Sequence, residues 1–277
     1  MDIIRCDDEE SLIVKWNKPN SKNSNSIELG SSLRVKPGQV ALFLYKQDKD
    51  TYEEYIEGPF DEILVTKNIP VISNVLKLAY HGDTPFQAEI YFININKIIK
   101  TKFGVPYFNV FDYEYDKLSV PVSVRGSMNY RVTDYKTLIK LFGARTITSE
   151  DFYEYIVNAI KRYVKATVTN IPEQMKLSCL KLETQIDFIS QVIEGVLKNR
   201  LKEEYGIELM SLDVSALEIN KESEDYKAYY KAVTKQSIRN IIHKARLARA
   251  KDDLEVTNDV LDIVDRIVNI IKKAKHL

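Results

Sequence analysis

In Val120-Pro121-Val122-Ser123-Val124-Arg125-Gly126-Ser127-Met128-Asn129-Tyr130-Arg131-Val132-Thr133-Asp134-Tyr135-Lys136-Thr137-Leu138-Ile139-Lys140-Leu141-Phe142-Gly143, the apolar period changes from two to about 3.6 residues. Val120–Thr133 reads as a strand. Asp134 reads as the N-cap of a short helix over Tyr135–Leu141, which Gly143 stops. Gly126, inside the strand, predicts a bulge or a close backbone approach. Arg131 and Asp134 flank the strand-to-helix corner, where an ion pair or a cap would fix the geometry.

Upstream of this corner the pattern is that of strands. Ser11–Trp16 is a short strand, followed by an Asn-, Ser- and Lys-rich loop over Lys18–Ser32. Leu33–Val35 and Val40–Tyr45, joined through Pro37-Gly38, predict a hairpin. Further strands are expected at Glu62–Thr66 and Ala88–Asn94, the latter rich in β-branched and aromatic residues. Downstream the pattern is helical. Ser149 opens a helix lined by Phe152, Ile156, Ala159, Ile160 and Tyr163. A second runs from about Thr184 to Glu204 with Ile186, Ile189, Val192, Ile193, Val196 and Leu197 as its stripe. Ile207–Ile219 alternates as a last strand. Tyr226 to about Lys251 and Val256 to Lys275 are two terminal helices. The fold class is therefore α+β, with a mixed or antiparallel sheet, packed helices and a C-terminal helical segment. Three regions are expected: an N-terminal strand and linker over 1–29, a main domain over 30–220, and amphipathic helices over 221–277.

Composition narrows the function classes. The chain has 277 residues, 44% of them hydrophobic and 29% charged, which excludes collagen-like and disordered classes. Two cysteines, Cys6 and Cys179, exclude a disulfide scaffold and a thiolate zinc site. They fit a reducing, cytoplasmic setting. No window approaches 18 uncharged apolar residues. The acidic N-terminus is unlike a signal peptide.

Reaction chemistry has no foothold in the pattern. His81, His243 and His276 show no metal-ligand spacing. Neither GxGxxG nor GxxxxGK[ST] nor GxSxG occurs. Cys179, in Lys176-Leu177-Ser178-Cys179-Leu180, reads as a small buried residue. The runs Asp7-Asp8-Glu9-Glu10 and Asp112-Tyr113-Glu114-Tyr115-Asp116 read as solvated loops rather than a catalytic pair facing one cleft. Tyr107, Tyr113, Tyr115 and Tyr130 fit amphipathic packing at a sheet rim, with an enzyme in a tyrosine-lined cleft as the competing class. The expectation is no enzyme, no catalytic residue, no cofactor and no metal.

Charge is the informative feature. Formal net charge is zero, yet residues 221–277 carry thirteen Lys/Arg against nine Asp/Glu. The body is correspondingly acidic. Between Lys227 and Lys251 lie Lys227, Lys231, Lys235, Arg239, Lys244, Arg246, Arg249 and Lys251, with no acid among them. Lys227, Lys231, Lys235 and Arg239 recur every four residues and form one stripe. Tyr230, Val233, Ile238, Ile241, Ile242, Ala245 and Ala248 form a less polar side. The ordinary reading is a solvated helix. The functional readings are contact with an anionic membrane surface, an acidic partner helix, or nucleic-acid phosphate. A lipid-facing helix usually shows bulkier Trp, Phe or Leu anchors, whereas alanines and isoleucines favour helix–helix contact, which ranks above lipid insertion. Val256, Val260, Ile263, Val264, Ile267 and Ile271 form the expected oligomerisation face of the last helix.

Several stretches, in order and spacing, resemble a known family. They are Ile3-Ile4, Val14-Lys15-Trp16 and Pro19; Gly30-Ser31-Ser32-Leu33-Arg34-Val35; Gln39-Val40-Ala41-Leu42-Phe43; and Thr66-Lys67-Asn68-Ile69-Pro70-Val71. Gly82-Asp83-Thr84-Pro85-Phe86-Gln87-Ala88-Glu89-Ile90-Tyr91-Phe92-Ile93-Asn94, Lys102-Phe103-Gly104-Val105-Pro106 and Val124–Asp134 continue the series. Over roughly residues 3 to 220 the chain resembles bacterial SPFH (stomatin, prohibitin, flotillin, HflK/C; band 7) proteins of the virion core protein-like group. The resemblance implies an SPFH/band 7-like domain in a non-enzymatic, self-associating scaffold at or near the membrane surface. It also implies a link to membrane stress, phage shock protein A-like partners, and peripheral attachment on the inner face of the cell membrane. That group often ends in a zinc ribbon, whereas no paired cysteines follow Cys179 here. The alternative is a nucleic-acid-binding protein using the basic helix 227–251, which ranks lower because no groove-reading fold accompanies it.

Overall fold

A computed structural model describes residues 2–18, 26–27, 30–47, 50–64, 86–115 and 117–250. The Thr66–Val71 and Gly82–Pro85 motifs and the helix expected over Val256–Lys275 lie outside the described residues. The strands β1 (Ile3–Ile4), β2 (Ser11–Lys15), β3 (Ser26–Ile27), β4 (Ser32–Val35), β5 (Gln39–Gln47) and β6 (Asp50–Glu57) come first. Then follow β7 (Phe60–Ile63), β8 (Phe86–Gln87), β9 (Glu89–Asn94), β10 (Ile99–Phe111) and β11 (Ser119–Val132). Helix α1 (Tyr135–Phe142), β12 (Ile147–Thr148), α2 (Ser149–Met175) and a 3-10 segment at Cys179–Thr184 precede α3 (Ile186–Tyr205), β13 (Ile207–Ile219) and α4 (Glu224–Ala250). The fold is α+β, with strands mostly first and helices mostly second.

The strands form sheets ordered β1-β4-β7, β10-β11-β13, β12-β2-β9-β5-β6 and β3-β8. The β12–β2, β2–β9, β3–β8, β4–β7, β5–β6 and β5–β9 pairs are antiparallel and β1–β4 is parallel, so the mixed or antiparallel expectation holds. The hairpin expected through Pro37-Gly38 does not form, because β4 and β5 belong to different sheets. Gln39 N donates to Lys36 O at 3.0 Å across this turn, and Gly38 has φ +79°. A positive φ only at the third position is a type II turn, whose twist splays the flanking strands instead of pairing them. The chain therefore steps from one sheet to the next. The Lys18–Ser32 loop contains the two-residue β3, paired with β8.

Besides the two-residue β1, β3, β8 and β12, two longer strands escaped the sequence pattern for identifiable reasons. Half of β6, Asp-Thr-Tyr-Glu-Glu-Tyr-Ile-Glu, is acidic and so scores poorly as strand, yet it pairs with β5 from Val40↔Glu57 to Gln47↔Asp50. β10 contains Gly104 and Pro106, which read as breakers. Among the described residues it lies at the end of its sheet, where a missing proline N–H costs little.

The chain divides into two compact units, each discontinuous in sequence. The first comprises Met1–Val105, Val124–Val168 and Thr184–Leu217. The second comprises Pro106–Ser123, Thr169–Glu183 and Glu218–Leu277. In the first unit, Ile4, Leu33 and Val35 from the three-stranded sheet share one buried cluster with Ala41, Phe43, Ile90 and Phe92 from the five-stranded sheet. Val40, Leu42, Tyr91 and Ile93, on the opposite face of β5 and β9, are also buried. The β5–β9 pair is thus covered on both sides, which explains its near-continuous apolar runs. Asn94, itself buried, ties three strands at one end. It accepts from Gln39 Nε2 at 2.9 Å and donates to Ser11 O at 2.6 Å.

The corner around Asp134 forms as its residues dictate. Asp134 accepts from Lys136 N and Thr137 N, each at 3.1 Å, capping α1. These bonds, led by that of the Thr137 hydroxyl, hold its carboxyl below the usual range. Arg131 pairs not with Asp134 but with Glu208 on β13, at 2.6 Å. Phe152, Ile156, Ala159 and Ile160 of α2 are buried as expected. On α3 the buried face runs through Ile189, Ile193, Leu197 and Leu201, which leaves Val196 exposed.

At Gly126 a Cβ would lie 2.4 Å from Asp213 O and 2.6 Å from Phe103 Cζ. The strand glycine marks a close approach to the neighbouring strand's backbone. Gly126→Ala is expected to lower stability by about 1–3 kcal/mol through overpacking, read as an earlier urea midpoint with unchanged slope.

Candidate interaction surface

The second unit is organised around a buried carboxylate. Asp112 closes β10, and one of its oxygens accepts from the Tyr229 hydroxyl at 2.6 Å and from Cys179 N at 2.9 Å. The other accepts from Glu114 N at 2.9 Å. Ser178 Oγ lies 2.9 Å from the Tyr229 hydroxyl and extends the network. Burial alone would raise the Asp112 pKa. The hydrogen bonds from Tyr229, Cys179, Glu114 and Ser178 outweigh it and hold the carboxyl below its ordinary value. Tyr229 is fully buried, and Tyr115 meets its ring edge-on at 6.3 Å between centroids. The reading of Asp112–Asp116 as a solvated loop is thus corrected at its first residue, which is an internal anchor. No spacing rule marked Asp112, because its partners other than Glu114 come from segments 66 or more residues away in sequence.

That anchor sets the rotation of α4. An α-helix turns roughly 100° per residue, so with Tyr229 facing inward, Lys227 and Lys231 point about 160–200° away. Lys235 and Arg239 follow at about 240° and 280°. All four are exposed, as are Lys244 and Arg246. Lys227 pairs with Glu224 one turn earlier, at 3.2 Å. Among the described residues, Lys231, Lys235, Arg239, Lys244 and Arg246 have no carboxylate partner. Beyond Lys227 the stripe is, among the described residues, a line of positive charge without a carboxylate partner. Tyr230 is 53% exposed beside it and stacks on Tyr226 at 5.9 Å. Its exposure removes Tyr230 from the less polar side, on which Val233, Ile238, Ile241 and Ile242 are half-buried and Ala245 is buried. The side chains of Ala248 and Arg249 are not described, and Lys251, Val256, Val260, Ile263, Val264, Ile267 and Ile271 lie outside the described residues.

The other residues singled out from the sequence have structural partners. Cys179 is buried, its thiol pushed up to about 12 by burial and by the neighbouring Asp112. A thiol so poorly ionised at neutral pH is a weak nucleophile. Asp8 accepts from Glu10 N and Ser11 N and closes the turn before β2, while Asp7, Asp8, Glu9 and Glu10 are all exposed. Tyr130 is buried against Phe152, whereas Tyr107 and Tyr113 are exposed. An open cleft in the first unit, lined by Phe142, Arg145, Asp151 and Tyr155 among others, has a volume of about 490 Å³. Its Asp151 bonds the hydroxyl and N–H of Thr148 at the start of α2, a capping role. Among the described residues no group of three His, Cys, Asp or Glu could hold a metal, and no helix is long and apolar enough to cross a membrane.

Comparison with known proteins gives this geometry a context. The SPFH domain-Band 7 family matches residues 18–237, from the approach to β3 through the first half of α4. The uncharacterized protein YdjI of Bacillus subtilis (strain 168) is 22% identical over 209 residues, 73% of this chain. The chain spans 57% of that relative's length.

The Asp112 network carries two signatures. Tyr229→Phe is expected to cost about 1.5–3 kcal/mol at pH 7, the worth of a hydrogen bond to a charged group. Because the folded pKa of Asp112 lies below the unfolded value of roughly 3.9, its ionisation stabilises the fold above that pH and stops doing so as pH falls through the folded value. The Tyr229→Phe penalty should accordingly shrink in urea titrations at pH 3. An undiminished penalty there would assign the effect to packing rather than charge.

Proposed function

The chain belongs to the SPFH domain-Band 7 family, and from that premise we propose that it is a non-enzymatic scaffold that self-associates and organises a protein complex at or near a membrane surface. The observation that carries this reading is the exposed stripe Lys227, Lys231, Lys235 and Arg239 on a helix anchored through Tyr229, in which all but Lys227 have no carboxylate partner among the described residues. Unpaired cations on a rigid element attract an anionic surface over a Debye length, about 8–10 Å at physiological salt, without chemistry at the contact. The motif series in the sequence favours the virion core protein-like group. On that basis the proposal extends to membrane stress, to a phage shock protein A-like partner, and to peripheral attachment on the inner face of the cell membrane. Nucleic-acid binding by the same helix competes for the same charges, but the helix adds only Tyr226, Tyr229 and Tyr230, of which Tyr229 is internal.

Light scattering at micromolar concentration should give a species larger than a monomer. Co-sedimentation should show binding to phosphatidylglycerol vesicles that declines with salt, with little binding to phosphatidylcholine. At about 1 kcal/mol per basic residue near an anionic surface, reversing all four stripe residues to Glu should weaken vesicle binding at least a hundredfold. A strict monomer with and without anionic vesicles would overturn the scaffold reading. Tighter binding to duplex DNA than to vesicles at 150 mM salt would replace it with the nucleic-acid one.

A further inference from the structure

The first unit holds a surface of the opposite sign. Among the described residues β6 ends its sheet, pairing with β5 on one side only. Natural edge strands are commonly guarded by charge. This one carries Asp50, Glu53, Glu54 and Glu57 and no Lys or Arg. Tyr55, Tyr45 and Tyr135 donate hydroxyl hydrogen bonds to Glu53, Glu54 and Glu57 respectively. None of the four carboxylates has a cationic partner among the described residues. The nearby Lys136 ammonium lies over the Tyr55 ring, 5.7 Å from its centroid. Asp50, Glu53 and Glu57 are exposed, and Tyr52 is 42% exposed beside them.

The two strips match in sign and in reach. Glu53 and Glu57 share a strand face and lie about 13–14 Å apart at 3.3–3.4 Å per residue. Lys231 and Arg239 on α4 lie about 12 Å apart along the helix at 1.5 Å per residue. The basic strip is flanked by the exposed Tyr230, a residue type enriched where proteins meet. A contact of α4 on α4, or of β6 on β6, would set like charges face to face. A contact of α4 on β6 between copies satisfies both strips, reciprocally in a two-fold pair or in one direction along a series.

We propose that the acidic strand β6 of one copy receives the basic stripe of α4 from a second copy, so that the protein self-associates through a charge-complementary strand–helix contact. This rests on the self-association proposed above and names its surfaces. Each copy would then offer one acidic and one basic strip to its neighbours.

Sedimentation velocity on the full chain tests it, using the wild type, Glu53→Lys with Glu57→Lys, Lys231→Glu with Arg239→Glu, and an equimolar mixture of the two double variants. Each double variant alone is expected to associate at least tenfold more weakly than the wild type. The mixture should recover large species, because one member's basic α4 meets the other's acidic β6 and the reversed pair is again complementary. Circular dichroism checks that the variants fold. If a reversal unfolds the chain, Glu53→Gln with Glu57→Gln and Lys231→Gln with Arg239→Gln should weaken association in the same direction. As a second readout, Glu53→Cys in one copy and Lys235→Cys in another should cross-link between copies with a short bismaleimide, the native cysteines being buried. A wild type that associates while both folded double variants match it and no cross-link forms overturns this contact but leaves the scaffold reading standing. Failure of the mixture to recover overturns it too, as does loss of phosphatidylglycerol binding by the α4 variant with association unchanged, which would assign the stripe to a bilayer. A monomeric wild type overturns both readings.

Discussion

The bond from the Tyr229 hydroxyl to the buried Asp112 carboxylate is the constraint on which the surface of the second unit depends. A carboxylate removed from water needs several donors, and Asp112 has them from Tyr229, Cys179 and Glu114. Once Tyr229 is committed inward, helical geometry leaves no freedom in where Lys227 and Lys231 go. The charged face of α4 is therefore set by an uncharged residue on the opposite side. A helix with the same lysines but no internal anchor would present them in no fixed direction.

Architecture in the first unit follows from a different demand, the covering of the β5–β9 pair on both faces. Alternate residues of these strands, Ala41 and Phe43 against Val40 and Leu42, are all buried. Two-sided burial is unusual for antiparallel strands and is met here partly by the β1-β4-β7 sheet, which shares the cluster around Leu33 and Phe92. The type II turn at Pro37-Gly38 makes this arrangement accessible, because it sends β4 away from β5 so that the two can lie in separate layers.

What the described surface displays is charge gathered in strips. The groups with shifted pKa values include the capping carboxylates Asp134 and Asp151, the buried Asp112 and the buried Cys179 thiol, whose shifts follow from burial and from their hydrogen-bond partners. Zero net charge conceals a basic strip and an acidic strip, and membership of a family of membrane-associated scaffolds gives such strips a use.

The sequence alone determined the elements whose signals are local. The Asp134 cap, the Gly143 stop, the β13 span and the α4 helix are all written in residues within a turn or two of one another, and the basic stripe is a four-residue repeat. The family resemblance was legible for a similar reason, since its motifs are short runs in fixed order. Only the tertiary structure decided that β4 and β5 part company, that acidic β6 is a strand, that Arg131 pairs with Glu208, and that Asp112 is an anchor instead of a loop carboxylate. Each of these depends on partners brought together by the fold, 23 residues away for Leu33 and Ile56 in the shared cluster and 117 for Asp112 and Tyr229. Periodicity reports which face of an element is apolar; it carries no information about which distant segment will supply the missing donor or the complementary charge.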